Sequence, residues 1–328
     1  WIFTTASGRS FMTDSSRGSN AAEVAALIRL QTVPKLGAAT LYKLLAALSV
    51  AEISPARYIG LSAAEMADSV GETFRWVADA LSVQDSTSAL AWTEKLLAEG
   101  WRVVTHVQPE YPASVRLVLG DKCPPLLYVK GHIPLLHAPG IAFSGSRNVS
   151  ERGLSAAAAL AEQSATQGLT VISGHAKGVD QTAHHAALES GGATVFIPSE
   201  GALRFRLRAD LRRLADEKPQ AWVIATQYAP MDGWHVGNAM QRNRTLIGLS
   251  KALFIIEAGL DGGTWDASLE AERLRHRRPE GRAQRFLALD DVDFDVAACA
   301  RHRLGKGGID RFHAIPQQVV KAHHEGKS

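Results

Sequence analysis

Apolar positions recur at helical spacing through the first third of the chain and then give way to short apolar runs. Between residues 21 and 100 the sets Val24, Leu27, Ile28, Leu30 and Leu41, Leu44, Leu45, Leu48 return at the three-and-four interval that lines one face of an α-helix. This predicts a small all-helical domain over residues 21–105. From Trp101 onward, β-type runs at 126–129, 141–144, 169–172, 194–197, 222–225, 253–256 and 286–289 alternate with helical stretches at 154–167, 179–190, 209–217, 239–249 and 264–278. Strand and helix alternating in this way specify an α/β domain with a doubly wound, mainly parallel sheet, assigned here to residues 106–298. Ligands of such sheets sit beyond the carboxyl ends of the strands, near the point where strand order reverses.

The flanks are read differently. Residues 1–20 are rich in Ser, Gly and Thr and are expected to be a disordered or extraneous leader. Residues 299–328 are expected to be a C-terminal extension. The composition, 46% hydrophobic and 21% charged, is that of a globular protein with a buried core. No apolar run reaches the roughly 18 residues needed to span a bilayer as a helix, so no membrane association is expected. Cys123 and Cys299 lack the spacing of a disulfide framework or a cysteine-rich zinc site, which fits a cytoplasmic protein without a structural metal. The net charge of +3 is too small to imply nucleic acid by itself, so the placement of the arginines has to decide.

The loops after the strands carry the candidate chemistry. The first reads Gly145-Ser146-Arg147-Asn148-Val149-Ser150: a glycine permits close approach, the following helix N-terminus offers N–H groups, and Arg147 supplies a planar cationic fork for phosphate. The second reads Ser173-Gly174-His175-Ala176-Lys177-Gly178-Val179-Asp180 and repeats that anion-binding chemistry. Neither is a GxGxxG fingerprint with a following acid, so a dinucleotide cofactor is disfavoured and none is expected. Asp180 and His184 share a helical face, and a structural hydrogen bond is the preferred reading over metal binding or catalysis, because no third ligand or nucleophile accompanies them.

A third feature, Arg204-Phe205-Arg206-Leu207-Arg208 with Arg212 and Arg213, interleaves an aromatic with cations, as a strand of phosphates and stackable bases would require. Gln241-Arg242-Asn243-Arg244 opens a helix beside a loop end of the sheet, whereas Arg273 to Arg278 at a helix C-terminus is read as structural or peripheral charge. In the helical part, Thr32 to Thr40 resembles a helix-hairpin-helix turn, read first as a packing turn and second as a phosphate contact.

At these residues the chain resembles the DprA/Smf family (DNA-processing protein A), in the SLOG superfamily. The likeness runs from about Tyr111 to Glu272. Its blocks are Tyr111-Pro112, Cys123 to Gly131, Gly145-Ser146-Arg147, Ser173 to Asp180 with Ala183-His184, Arg242-Asn243-Arg244 with Gly248-Leu249-Ser250, and Glu257-Ala258 with Gly263-Thr264. The resemblance implies a Rossmann-like domain that binds single-stranded DNA in a basic pocket without catalysing a reaction. It also implies a homodimer, and a role in handing DNA to a RecA-type recombinase during natural transformation. On that reading Arg147, Lys177, Arg242 and Arg244 contact phosphates, and Gly145, Ser146, Ser173 and Gly174 shape the backbone around the strand. Asn243 belongs to the same block, while Arg204 and Arg206 are added from charge alone.

The chain departs from the family where the Tyr-Pro-x-x-Asn stretch gives way to the arginine-rich segment, and where Ala267-Ser268 replaces Thr-Ala. Residues 290–328 are too short for the winged-helix domain of many members. Two alternatives share the superfamily. One is a phosphoribohydrolase of the LOG type, whose loop glutamate is replaced here by Ala267, with Asp266 or Glu270 left as possible carboxylates. The other is a nucleotide-sensing module that holds one small phosphorylated ligand.

Overall fold

The computed structural model describes residues 14–257, 263–274, 285–289 and 312–314. The first thirteen residues of the expected leader and most of the C-terminal extension therefore lie outside the described residues. The first helix, α1 (Asp14–Gln31), is followed by α2 (Ala38–Val50), α3 (Pro55–Tyr58), α4 (Ala63–Val70), α5 (Arg75–Ser82) and α6 (Thr87–Ala98). Their ends are locally encoded. Ser54 caps α3 with Pro55 in its first turn, and Ser62 with Glu65 forms a capping box on α4, satisfying N–H groups that a helix start leaves without partners.

The chain then continues through β1 (Arg102–Thr105), α7 (Ala113–Leu119), β2 (Leu126–Gly131), β3 (Gly140–Gly145), α8 (Glu151–Thr166), β4 (Thr170–Ser173), α9 (Val179–Glu189), β5 (Thr194–Phe196), α10 (Ala209–Glu217), β6 (Trp222–Thr226), α11 (Val236–Leu249), β7 (Ala252–Ile256), α12 (Gly263–Leu274), β8 (Arg285–Leu289) and β9 (Phe312–Ala314). The strands form one sheet in the order β1-β2-β6-β5-β4-β3-β7-β8-β9. Strands β6 through β9 of that order run parallel, and β1 and β2 add an antiparallel edge. The α/β, doubly wound, mainly parallel reading therefore holds, with the antiparallel edge as an addition to it.

Side-chain alternation shows how the sheet is covered. Ala142, Leu253 and Ile255 join a core with Leu246, Ile247, Ala271 and Leu274 of α11 and α12. Their neighbours Phe143, Phe254 and Ile256 point the other way, into a core with Ala157, Leu160, Val179 and Ala183 of α8 and α9. Both faces are buried, which is why these strands read as unbroken apolar runs. The helical segment shares a third core with the sheet, in which Ile28, Leu30 and Leu44 meet Tyr128, Phe196 and Phe205. Each such fully buried side chain contributes about 1.5–3 kcal/mol. The buried Tyr128 hydroxyl donates to Gln31 Oε1 at 2.6 Å, and Gln31 Nε2 donates to Gln227 O at 2.9 Å. Those two bonds fix the end of α1 against the sheet.

Strand order reverses at β3. Chain progress from β3 to β4, β5 and β6 goes one way across the sheet, and β7, β8 and β9 lie on the other side. The helices after β3 and after β7 consequently cover opposite faces, which opens the crevice at the carboxyl ends of β3 and β7.

Candidate nucleic-acid interface

Two loops meet at that crevice. Gly145 ends β3 where any side chain would collide: a Cβ there would stand 2.5 Å from Ile256 O and 2.8 Å from Val179 Cβ. Gly178, at φ +88°, closes the β4–α9 loop so tightly against the first that a Cβ would lie 2.5 Å from Ser146 O and 3.1 Å from Arg147 O. The first loop is tied down further. Ser146 N donates to Ile256 O at 3.2 Å, Asn148 N donates to Ser146 Oγ at 3.1 Å, and Thr264 Oγ1 donates to Gly145 O at 3.1 Å. From this paired scaffold Arg147 and Lys177 extend into solvent. The Arg147 guanidinium lies 5.0 Å from the centroid of the Trp234 ring, in the loop between β6 and α11.

Beneath them lies a buried polar layer. Arg242 is only 8% exposed and packs on Gly174, where a Cβ would stand 2.5 Å from Nη2. Burial lowers its pKa from the ordinary arginine value, opposed by the charge of Asp180. Asp180 Oδ2 accepts from Ala176 N at 3.1 Å and so holds the second loop to its helix. His184 Nδ1 lies 2.6 Å from Thr194 Oγ1, and burial pushes its pKa well below the usual value. Asp180 and His184 thus act separately as structural ties. His175, edge-on to Phe205 with centroids 5.0 Å apart, is pushed down to about 4, first by burial and then by Arg208.

Two expectations change on this geometry. The N-terminus of α8 is not open to phosphate: Ser150 caps it, with Gly153 N donating to Ser150 Oγ at 3.0 Å, and Ser150 N donates to Glu257 Oε2 at 2.7 Å. The Ser150 hydroxyl also donates to Glu257 Oε1. An internal carboxylate, on a residue at φ +51°, takes the place an anion would fill. Phe205 is not a base platform, because at 4% exposure it belongs to the core while Arg204 and Arg206 on either side face solvent. Arg206 itself donates to Phe205 O at 2.7 Å, and Arg208 and Arg213 pair with Asp210 and Glu217 at 3.2 and 3.1 Å.

The predicted residues accordingly separate by depth. Gly145, Ser146, Arg147, Gly174 and Lys177 form the paired loops, and Arg147 and Lys177 are their exposed cations. Ser173 is buried and donates to Phe143 O at 2.8 Å. Asn243 Nδ2 donates to Gly263 O at 3.3 Å, and Arg244 Nε pairs with Glu270 Oε1 at 3.0 Å, so both residues secure α11 to α12. Sequence reasoning missed Trp234 and the capping role of Glu257. An exposed tryptophan in a strand-end loop was the available signal for the first.

The profile of the family described as DNA recombination-mediator protein A matches residues 102–276, the stretch that builds these loops. The chain belongs to that family. Protein Smf of Escherichia coli is 30% identical over 178 residues, covering 54% of this chain and 46% of the relative. DNA processing protein DprA of Streptococcus pneumoniae is 33% identical over 141 residues, covering 43% and 49%. The chain thus spans about half the length of these curated relatives. Among solved structures, S. pneumoniae DprA superposes with a TM-score of 0.63 at 22% identity, covering 95% of this chain and 98% of that one. A Helicobacter pylori DNA processing protein A, whose structure is described as showing its single-stranded-DNA binding mode, superposes with a TM-score of 0.53 at 22% identity, covering 69% and 96%. Both share this chain's fold.

Proposed function

We propose that this member of the DNA recombination-mediator protein A family binds single-stranded DNA at the crevice, without catalysing a reaction on it and without a cofactor. The observation that carries the reading is the pair of exposed cations, Arg147 and Lys177, held on two loops that glycines lock together at adjacent strand ends. Two fixed cations suit successive phosphates of a flexible strand, and neither reads a base edge, so binding is tolerant of sequence. The described binding mode of the H. pylori relative supports the same substrate class. A homodimer, handover of the strand to a RecA-type recombinase and a cytoplasmic location complete the proposal. Among the described residues no helix is long and apolar enough to cross a membrane.

The hydrolase alternative finds little support in α12. Ala267 is buried where the catalytic glutamate would stand, and Glu270 is engaged by Arg244 and Arg273 at 3.0 and 3.4 Å. The deciding measurement is fluorescence anisotropy with labelled oligo-dT of increasing length, single- and double-stranded, at two salt concentrations, with AMP as competitor. Affinity that rises with length, falls with salt and favours the single strand is expected. Saturation by AMP with no gain from length would replace the strand reading with a nucleotide sensor, and release of free base from AMP would make the protein a hydrolase.

A further inference from the structure

The connection between β6 and α11 carries an apolar surface that the roles above leave unused. Trp234 is 51% exposed, and Met231, Val236 and Met240 beside it are exposed as well. Val236 and Met240 are four residues apart and share one face of α11. Grouped large apolar side chains on a globular surface mark an interaction site.

The segment that presents them is fixed in advance. Ala229 N donates to Asp232 Oδ2 at 3.0 Å, and Asn238 N donates to His235 Nδ1 at 3.2 Å, which caps α11. Gly201 N and Leu203 N donate to Asp232 O and Pro230 O, each at 2.9 Å, tying the segment to the β5–α10 connection. The backbone on either side of Trp234 is therefore held before any ligand arrives, which lowers the ordering cost of binding.

Charge identifies the ligand. Arg147 lies over Trp234 at 5.0 Å from the ring centroid, and a guanidinium stacked by its face keeps its in-plane N–H fork for an anionic oxygen. Arg147 lies over one face of the indole, and half of the residue is still exposed to a further ligand. A polynucleotide strand brings an anionic oxygen and a flat unsaturated ring to adjacent positions. In a duplex that ring is already stacked and paired.

We infer that Trp234 is a stacking platform for an unpaired nucleobase of the strand whose phosphate Arg147 holds. The inference rests on the single-strand reading and adds to it a reason for preferring single strand over duplex. It also places base contact in the β6–α11 connection, away from the arginine-rich segment around Phe205.

The test is Trp234→Ala in the full chain, with anisotropy on labelled oligo-dT and on an abasic tract of the same length, which keeps the phosphates and lacks the bases. Loss of one base–aromatic stack should weaken dT binding about ten-fold with an unchanged salt slope. Binding to the abasic tract should fall no more than about two- to five-fold, from the support Trp234 gives Arg147. Trp234→Phe should recover most of the loss on dT. Equal losses on both tracts, or unchanged affinity for dT, overturn the inference and leave the single-strand reading standing. Failure of the unaltered protein to bind either tract overturns both. Sedimentation velocity on both proteins covers the competing occupant: a dimer that dissociates in the variant assigns the patch to a second copy of the chain and overturns the base platform.

Discussion

Substituting alanine for Gly178 tests whether the two loops are one unit. The residue sits at φ +88°, and the space a Cβ would need is taken by backbone: Ser146 O at 2.5 Å, Arg147 O at 3.1 Å, then Val149 Cγ1 at 3.2 Å. Carbonyl oxygens of a loop already bonded to Ile256 and Asn148 cannot swing aside as a flexible side chain does. The backbone strain costs about 1–3 kcal/mol and the overpacking about 1–3 kcal/mol more. The sum, about 2–6 kcal/mol, corresponds to a melting temperature lower by roughly 4–24 °C in a domain of this size. Gly191 is the matched control, with φ +81° and nothing within 4 Å of where a Cβ would stand, so Gly191→Ala should cost only the backbone strain, about 1 kcal/mol. Urea titration and thermal melts read the stability, and oligo-dT anisotropy reads the site. Because the clash drives apart the loops that carry Arg147 and Lys177, Gly178→Ala should also reduce the salt slope by up to two phosphate contacts, roughly 1.4 units for a single strand. If Gly178→Ala and Gly191→Ala prove equally stable, the loops do not pack against each other, and the proposed site loses its scaffold.

Three further outcomes follow from the depth of individual groups. Arg147→Ala and Lys177→Ala should each leave the melting temperature unchanged and lower the salt slope of single-strand binding by about 0.7; an unchanged slope removes that residue from the site. Arg242→Ala should instead lower stability on the order of 3 kcal/mol, since it strips the opposing charge from buried Asp180 and empties the space against Gly174; urea denaturation distinguishes this from a surface effect. His175 is held at about 4 by burial, so the folded state favours its neutral form. That contribution is fully present above the unfolded pKa near 6.5 and is lost as pH falls toward 4, with a slope of up to about 1.4 kcal/mol per pH unit. Denaturation across that window should show the decline, and His175→Gln should flatten it.

Much of this was legible along the chain, for reasons that also mark where legibility stops. Strands β3 to β7 announce themselves because both faces are buried and their residues are almost all apolar. β1 (Arg102–Thr105) has four residues, half of them accessible, and lacks such a run. Helix α11 starts at Val236, three residues before the apolar pattern suggests, because His235 caps it, and histidine is not among the side chains that ordinarily signal a helix start. Gly145 and Lys177 were readable as strand-end loop residues. The burial of Arg242 was not, since one arginine in a cationic block looks like its neighbours until packing places it. Glu257 was equally hidden: Ser150, the N-cap residue it bonds, lies 107 residues earlier in the chain, and no local pattern links the two.

That hidden carboxylate changes how the site must work. Helix N-termini at strand ends commonly receive phosphate on free N–H groups, yet here Glu257 takes Ser150 N and Asp180 takes Ala176 N. Those two donors are spent internally, while the first turn of α9 carries no side-chain cap and the side-chain cations stand beside it. Among these, Arg242 is buried and Arg147 exposed. Burial lowers the pKa of Arg242 most, the charge of Asp180 opposes it, and the charge of Arg147 adds a smaller lowering. On the proposed reading, binding to these cations is released by salt, and a preference for single strand over duplex rests on the base contact proposed for Trp234.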